Sequence, residues 1–266
     1  MKYWPLSTAQ PSDLDASKLN NFPRRLLLKH GLGAIGIGTF TAWFGWGVLI
    51  QKFAALAADL TETPPSIAPF PTEHQSRLTP AQALQALIAG NDRFVASKRQ
   101  NLHQDVVRVT EVAQGQAPFA AILSCADSRV VPEIVFDQGL GDLFVVRVAG
   151  NIATIEDVAS EEYAAAILRV PLLMVLGHER CGAVSAALQG GEFPGTIGSL
   201  VAALQPAIAL SARKAGDRLT NAIKANVSIQ VRYLQSSPVI ADLVKENKLK
   251  VVGAYYDLDT GKVELL

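Results

Sequence analysis

The chain has 266 residues, with 24 Lys+Arg against 24 Asp+Glu and 49% hydrophobic residues. That length buries one large core or two small ones, and the apolar share excludes a disordered composition. An even charge balance without a basic stripe argues against nucleic acid as a partner, and two cysteines are too few for a disulfide framework.

The N-terminal segment differs from the rest. All three tryptophans (Trp4, Trp43, Trp46) lie in it, and residues 31–50 run without a charge and hold six of the 20 glycines. Arg24, Arg25 and Lys29 precede this run, and Ala55-Leu56-Ala57 follows as a small-x-small pattern. This is the three-part layout of an export signal. Pro23-Arg24-Arg25-Leu26-Leu27-Leu28-Lys29 resembles a twin-arginine signal, with Leu27 where Phe is more common. Residues 1–57 are therefore expected to be an export signal or, if uncleaved, a membrane anchor through residues 31–50, since twenty apolar residues can span a bilayer. Either reading puts the body outside the cytoplasm, in a periplasm or its equivalent, because the basic flank stays inside. Removing the six basic and two acidic residues up to Lys52 leaves 18 basic and 22 acidic, a net charge of −4. Residues 58–78, with Pro64, Pro65, Pro69 and Pro71, form a stiff extended linker.

From Thr79 onward the pattern is that of a folded domain, 79–266. Thr79-Pro80 starts a helix that carries Ala83, Leu84, Leu87 and Ile88 at helical spacing to about Val95 or Lys98. Three short apolar runs, Phe119–Leu123, Leu143–Val148 and Leu172–Leu176, predict buried strands. An alanine-rich helix is expected over Glu156–Leu168, and further helices near Ala183–Leu188, Ser199–Ala212 and Asn221–Gln235. Strand Lys250–Tyr255 meets a last strand, Val263–Leu265, through a turn at Asp259-Thr260-Gly261. Strands apolar throughout and alternating with helices imply an α/β fold: a mostly parallel sheet of about four strands, a C-terminal antiparallel strand, and flanking helices. Chemistry in such sheets sits at the C-terminal strand ends.

The end of the first strand carries Cys125, Asp127 and Arg129, and the end of the third carries His178, Cys181 and Gly182. These are the only cysteines in the chain. His178 and Cys181, three apart, can face one point at the start of a helix, and Cys125 supplies a third donor. Two thiolates and an imidazole suit zinc and leave a fourth position open, as in catalytic sites. A Cys125–Cys181 disulfide and inert buried thiols are the alternatives. The disulfide explains the even count but neither His178 nor the adjacent acid–base pair. Asp127 and Arg129, two apart on an extended segment, can form a bidentate pair that keeps the carboxylate ionised, or else an ordinary surface pair of little worth.

Cys125-x-Asp127-x-Arg129 with His178-x-x-Cys181 resembles the β-class carbonic anhydrases. The likeness extends through most of residues 79–266: Gln116 nine before Cys125, Phe144 and Tyr163 at two aromatic pocket positions, and Val252–Asp257 as a closing strand. It implies one zinc per subunit, bound by Cys125, His178 and Cys181, and a hydroxide oriented by the Asp127–Arg129 pair for attack on carbon dioxide, giving bicarbonate. Gln116, Phe144, Tyr163 and Gly182 would line the substrate pocket. The resemblance further implies a homodimer or larger homo-oligomer, with Gln116 and Tyr163 reaching the neighbouring subunit's site. It also implies an always-open site, because members that close carry Trp where this chain has Ile122. Two thiolates donate more charge than imidazoles, so better activity at alkaline pH is expected. The rival readings are hydrolysis of carbon disulfide or carbonyl sulfide on the same site, and a noncatalytic zinc-stabilised subunit that binds bicarbonate.

Overall fold

The computed structural model describes residues 78–266; the expected signal or anchor, its apolar run and almost all of the linker lie outside the described residues. No helix among the described residues is long and apolar enough to cross a membrane.

Helix α1 (Pro80–Val95) starts as expected. Thr79 caps it through a reciprocal box with Gln82, and Pro80 takes the first helical position. Its buried face carries Ala83, Leu87 and Asn91. The Asn91 amide donates to the Val135 and Gly261 carbonyls and its oxygen accepts from the Val263 N–H at 2.9 Å, tying the helix to the C-terminal hairpin. A short helix α2 (Val106–Val112) follows, capped by Asp105. Strand β1 (Ala120–Ser124) is buried along its whole length. After α3 (Pro132–Val135) come β2 (Leu143–Arg147) and a 3-10 turn, Ala149–Asn151.

Helix α4 (Ile155–Glu162) runs into a π-helical turn at Tyr163–Ile167. The expected single helix Glu156–Leu168 thus changes its winding partway, as π turns do inside longer helices. Strand β3 (Leu172–His178), fully buried, leads to α5 (Gly182–Gln189) and α6 (Ile197–Ser211). Then come α7 (Arg218–Gln235), α8 (Pro238–Lys245), β4 (Lys250–Tyr256) and β5 (Val263–Leu265). Helices α2, α3 and α8 had no counterpart in the sequence reading.

The sheet order is β2-β1-β3-β4-β5, with four parallel strands and an antiparallel β5, as expected. Alternate residues feed two layers, because successive strand side chains point to opposite faces. Ile122, Leu172, Met174 and Leu176 pack on Ala83, Leu87 and Phe136. Ala121, Leu123, Leu173 and Val175 pack on Ala164, Ala165, Val227, Leu234 and Ile240.

One ionisable group lies inside this second layer's helix. Glu161 is fully buried and neither carboxylate oxygen has a hydrogen-bond partner. Burial pushes it up from 4.5 to about 8, with Asp157 one turn earlier adding repulsion. A raised native value means that the folded chain holds the proton more tightly than the unfolded one, so stability falls as pH rises between those two values. Glu161→Gln should therefore raise the thermal midpoint by roughly 5 °C at pH 8.5 and by about 1 °C or less at pH 5. Equal shifts at both pH values in scanning calorimetry would contradict the buried charge.

Candidate metal centre

Strands β1 and β3 are direct neighbours, with Ser124 level with Leu176. Their C-terminal ends consequently deliver Cys125 and His178 side by side, and Cys181 follows as the N-cap of α5. The ligand atoms of Cys125, His178 and Cys181 all lie within 4.8 Å of one another, and all three residues are buried. His178 and Cys181 do not share a helical turn, as their spacing had suggested. A strand end, a left-handed Arg180 (φ 51) and a helix start separate them. Both cysteines are free thiols.

His178 Nδ1 lies 2.9 Å from the Glu179 carbonyl, which can only accept, so the proton sits on Nδ1 and the lone pair on Nε2. That Nε2 is buried and without a partner. A desolvated imidazole lone pair within 4.8 Å of two thiols is costly unless a cation completes it. The thiols carry the same message. Cys125 is drawn well below the usual thiol range, chiefly by its hydrogen bond with Cys181 and further by the Gly150 N–H, against burial. Cys181 is pushed far up by that same bond and by burial. Alone, the pair holds one negative charge; the second thiolate needs a positive partner. The donor set therefore fits a soft divalent ion such as zinc.

Asp127 lies beside the centre, its Oδ2 3.8 Å from His178 Nε2. Arg129 grips it: the backbone N–H donates to Oδ1 at 3.0 Å, Nε to Oδ1 at 2.9 Å, and Nη2 to Oδ2 at 2.7 Å. The backbone bond makes this an Asx turn, not the extended segment that the two-residue spacing suggested. The Arg129 guanidinium holds the Asp127 carboxyl far below the usual carboxylate range. Arg147, which sequence reasoning passed over, donates to the carbonyls of Cys125 (3.0 Å) and Asp127 (2.7 Å) and so fixes the whole strand end.

Gly182 opens α5 next to Cys181, and an added Cβ there would meet nothing within 4 Å. The other expected pocket residues stand apart from the three donors within the chain. Gln116 is exposed in the loop before β1, at the opposite end of that strand from Cys125. Phe144 pairs in register with Ala121, four positions short of Cys125, and its ring lies 6.3 Å from that of Tyr163.

Fold and site together define an α/β protein with a three-donor centre of the catalytic kind. The carbonic anhydrase family profile matches residues 120–263. Carbonic anhydrase 2 of Mycobacterium tuberculosis is 42% identical over 191 residues, 70% of this chain and 92% of that protein. The carbonic anhydrase of Mycolicibacterium smegmatis is 43% identical over 192 residues, 70% of this chain and 93% of that one. Among solved structures, a tetrameric β-carbonic anhydrase from Sordaria macrospora superposes with a TM-score of 0.57 at 26% identity, covering 69% of this chain and 96% of its own. The chain belongs to the carbonic anhydrase family, in its β class.

Cys125→Ser and His178→Ala each remove one of three donors. Purified full-length variants should retain less than roughly a tenth of the wild-type zinc by elemental analysis, since losing even a residue that only supports a ligand costs about 10–100-fold in affinity. Stoichiometric zinc in either variant would show that the centre is elsewhere.

Proposed function

We infer that this chain catalyses the reversible hydration of carbon dioxide to bicarbonate and a proton, the reaction of its family. The observation that carries the mechanism is the Asp127 carboxylate gripped by Arg129 and standing 3.8 Å from the unpartnered nitrogen of His178. Zinc held by Cys125, His178 and Cys181 supplies the Lewis acidity that makes water a nucleophile near neutral pH. The residues around it do the positioning. Arg129 occupies both Asp127 oxygens and keeps the carboxylate ionised, so Asp127 acts as an acceptor only and does not itself take up the proton. By accepting the hydrogen bond of the attacking water at Oδ2, it fixes which lone pair faces carbon dioxide; the proton leaves to solvent. Arg129 also donates to the Arg180 carbonyl at 3.3 Å, which links the carboxylate's clamp to the turn between the two β3-end ligands. With the carboxylate committed to Arg129 instead of to the donor cluster, the geometry supports the open form, in keeping with Ile122.

The reading includes a homo-oligomer in which Gln116 and Tyr163 complete a neighbouring subunit's pocket. Its support is the position of Gln116 at the far end of β1 and the exposure of Val106, Val107 and Val109 on α2 and of Ile155 at the start of α4. It also includes export: Arg24-Arg25, the uncharged run 31–50 and Ala55-Leu56-Ala57 support a cleaved twin-arginine-type leader, or a membrane tether if it is retained.

Asp127→Asn should keep its zinc and lose about 99% or more of stopped-flow carbon dioxide hydration, and wild-type turnover should rise between pH 6.5 and 9 because two thiolates make a weaker Lewis acid of the metal. Wild-type rates from a zinc-replete Asp127→Asn enzyme would remove Asp127 from the mechanism. Light scattering of the purified protein should give at least two subunits, and cell fractionation should find it outside the cytoplasm. A monomer with full activity, or a cytoplasmic enzyme still carrying residues 1–57, would overturn the respective part.

A further inference from the structure

Helix α7 buries two amides on its otherwise apolar face, Asn226 at 1% exposure and Gln230 at 6%, among Ala222, Ile223, Val227 and Leu234. Buried amides need partners, and these two form an ordered chain. The Ala153 N–H donates to Gln230 Oε1 at 3.0 Å, Gln230 Nε2 to Asn226 Oδ1 at 3.0 Å, and Asn226 Nδ2 to the Gly150 carbonyl at 2.8 Å. A backbone N–H at one end and a backbone carbonyl at the other allow only this orientation of both amides. The chain ends on the Ala149–Asn151 turn, where Gly150 has φ 77 and ψ 13. On the other side of its α-carbon, the Gly150 N–H donates to Cys125 Sγ at 3.2 Å. The turn is also closed in on its open side, since a Cβ at Gly150 would meet Leu204 at 3.2 Å and Ala183 at 3.3 Å. Gly150 is therefore fixed between a sulfur and an amide.

We propose that Asn226 and Gln230 are positioning residues of the metal centre: they pin the Ala149–Asn151 turn so that the Gly150 N–H stays on Cys125 Sγ and withdraws charge from that thiolate. This rests on the reading that Cys125, His178 and Cys181 bind the metal. A thiolate relieved of charge donates less to its ion, which leaves the ion more Lewis-acidic, and a ligand held in place releases it more slowly. Neither amide touches substrate or metal; both act through a backbone N–H.

The test uses the full chain loaded with cobalt(II) and, separately, with zinc. Asn226→Leu removes the donor to Gly150 while keeping the branching and the number of side-chain heavy atoms. The thiolate-to-cobalt charge-transfer band is expected to move to lower energy, and zinc release to excess chelator to quicken by roughly tenfold or more. Leu234→Ala, in the core two turns further along the same helix and outside the chain of bonds, controls for lost stability and should leave the band where it is. An unmoved band and release rate in folded Asn226→Leu overturn the proposal, as does an equal change in Leu234→Ala. Should Asn226→Leu fail to fold, Gln230→Met frees Asn226 without removing it and should shift the band in the same direction by a smaller amount; no shift there also overturns it. A wild-type protein without any charge-transfer band would bring down the metal-site reading first, a failure distinct from an unmoved band.

Discussion

The direct pairing of β1 with β3 is the constraint on which the site depends. Parallel strands lie about 4.8 Å apart, and their registers fix which residues emerge together where the sheet stops. With Ser124 level with Leu176, the next positions along the two strands are Cys125 and Gly177, so the sulfur and the His178 imidazole leave the sheet as near neighbours. The third donor comes from the chain's next necessity, a turn into α5, which the left-handed Arg180 makes sharp enough to bring Cys181 back over the strand ends. Neither strand could slip by one residue without turning Ile122, Met174 and Leu176 away from α1. The apolar core thereby sets the spacing of the donors.

Around this geometry the charges are arranged in tiers. The innermost tier is short of positive charge: two thiols, one of which ionises readily while the other resists, and an imidazole with its lone pair inward. The next tier supplies compensation that cannot itself fill the centre. Arg129 is spent on Asp127, Arg147 on two backbone carbonyls, and Arg180 on Asp259 at 2.6 and 2.9 Å. Three guanidiniums stand near the site and each is geometrically committed, so none of them takes an ion's place against the thiols.

The architecture was legible because fully buried parallel strands are written as plain apolar runs, and three of them, with Lys250–Tyr255, marked the sheet. Helix α2 was not, since Val106-Val107-Arg108-Val109 is β-branched and exposed, with no apolar face to betray a period. Four-residue α3 is below the length at which any period exists, and α8 was missed although Ser237-Pro238 is a good start signal. At the site, the donors and the Asp127–Arg129 pair were visible because ligand chemistry belongs to residue types. Gly150 acts through a backbone N–H, which leaves no side-chain signature. Asn226 and Gln230, four apart beside Ala222, Ile223 and Val227, were the one available hint, an amide stripe on a helix's apolar face. The position of Gln116 at the opposite end of β1 depends on where that strand begins and ends, which only the folded sheet makes plain.

The turn that follows His178 is fastened to a part of the chain made after it. The Glu179 N–H donates to the Tyr256 carbonyl at 2.8 Å, the Leu258 N–H donates to the Glu179 carboxylate at 3.0 Å, and Arg180 forks onto Asp259. Strand β4 and the turn that follows it thus form a clasp over the histidine's own turn. During synthesis both cysteines and the histidine emerge well before that clasp exists. A partly made chain holds the three donors unfastened, and the ion's pocket takes its final shape only once β4 has joined the sheet and the turn after it has reached Glu179 and Arg180.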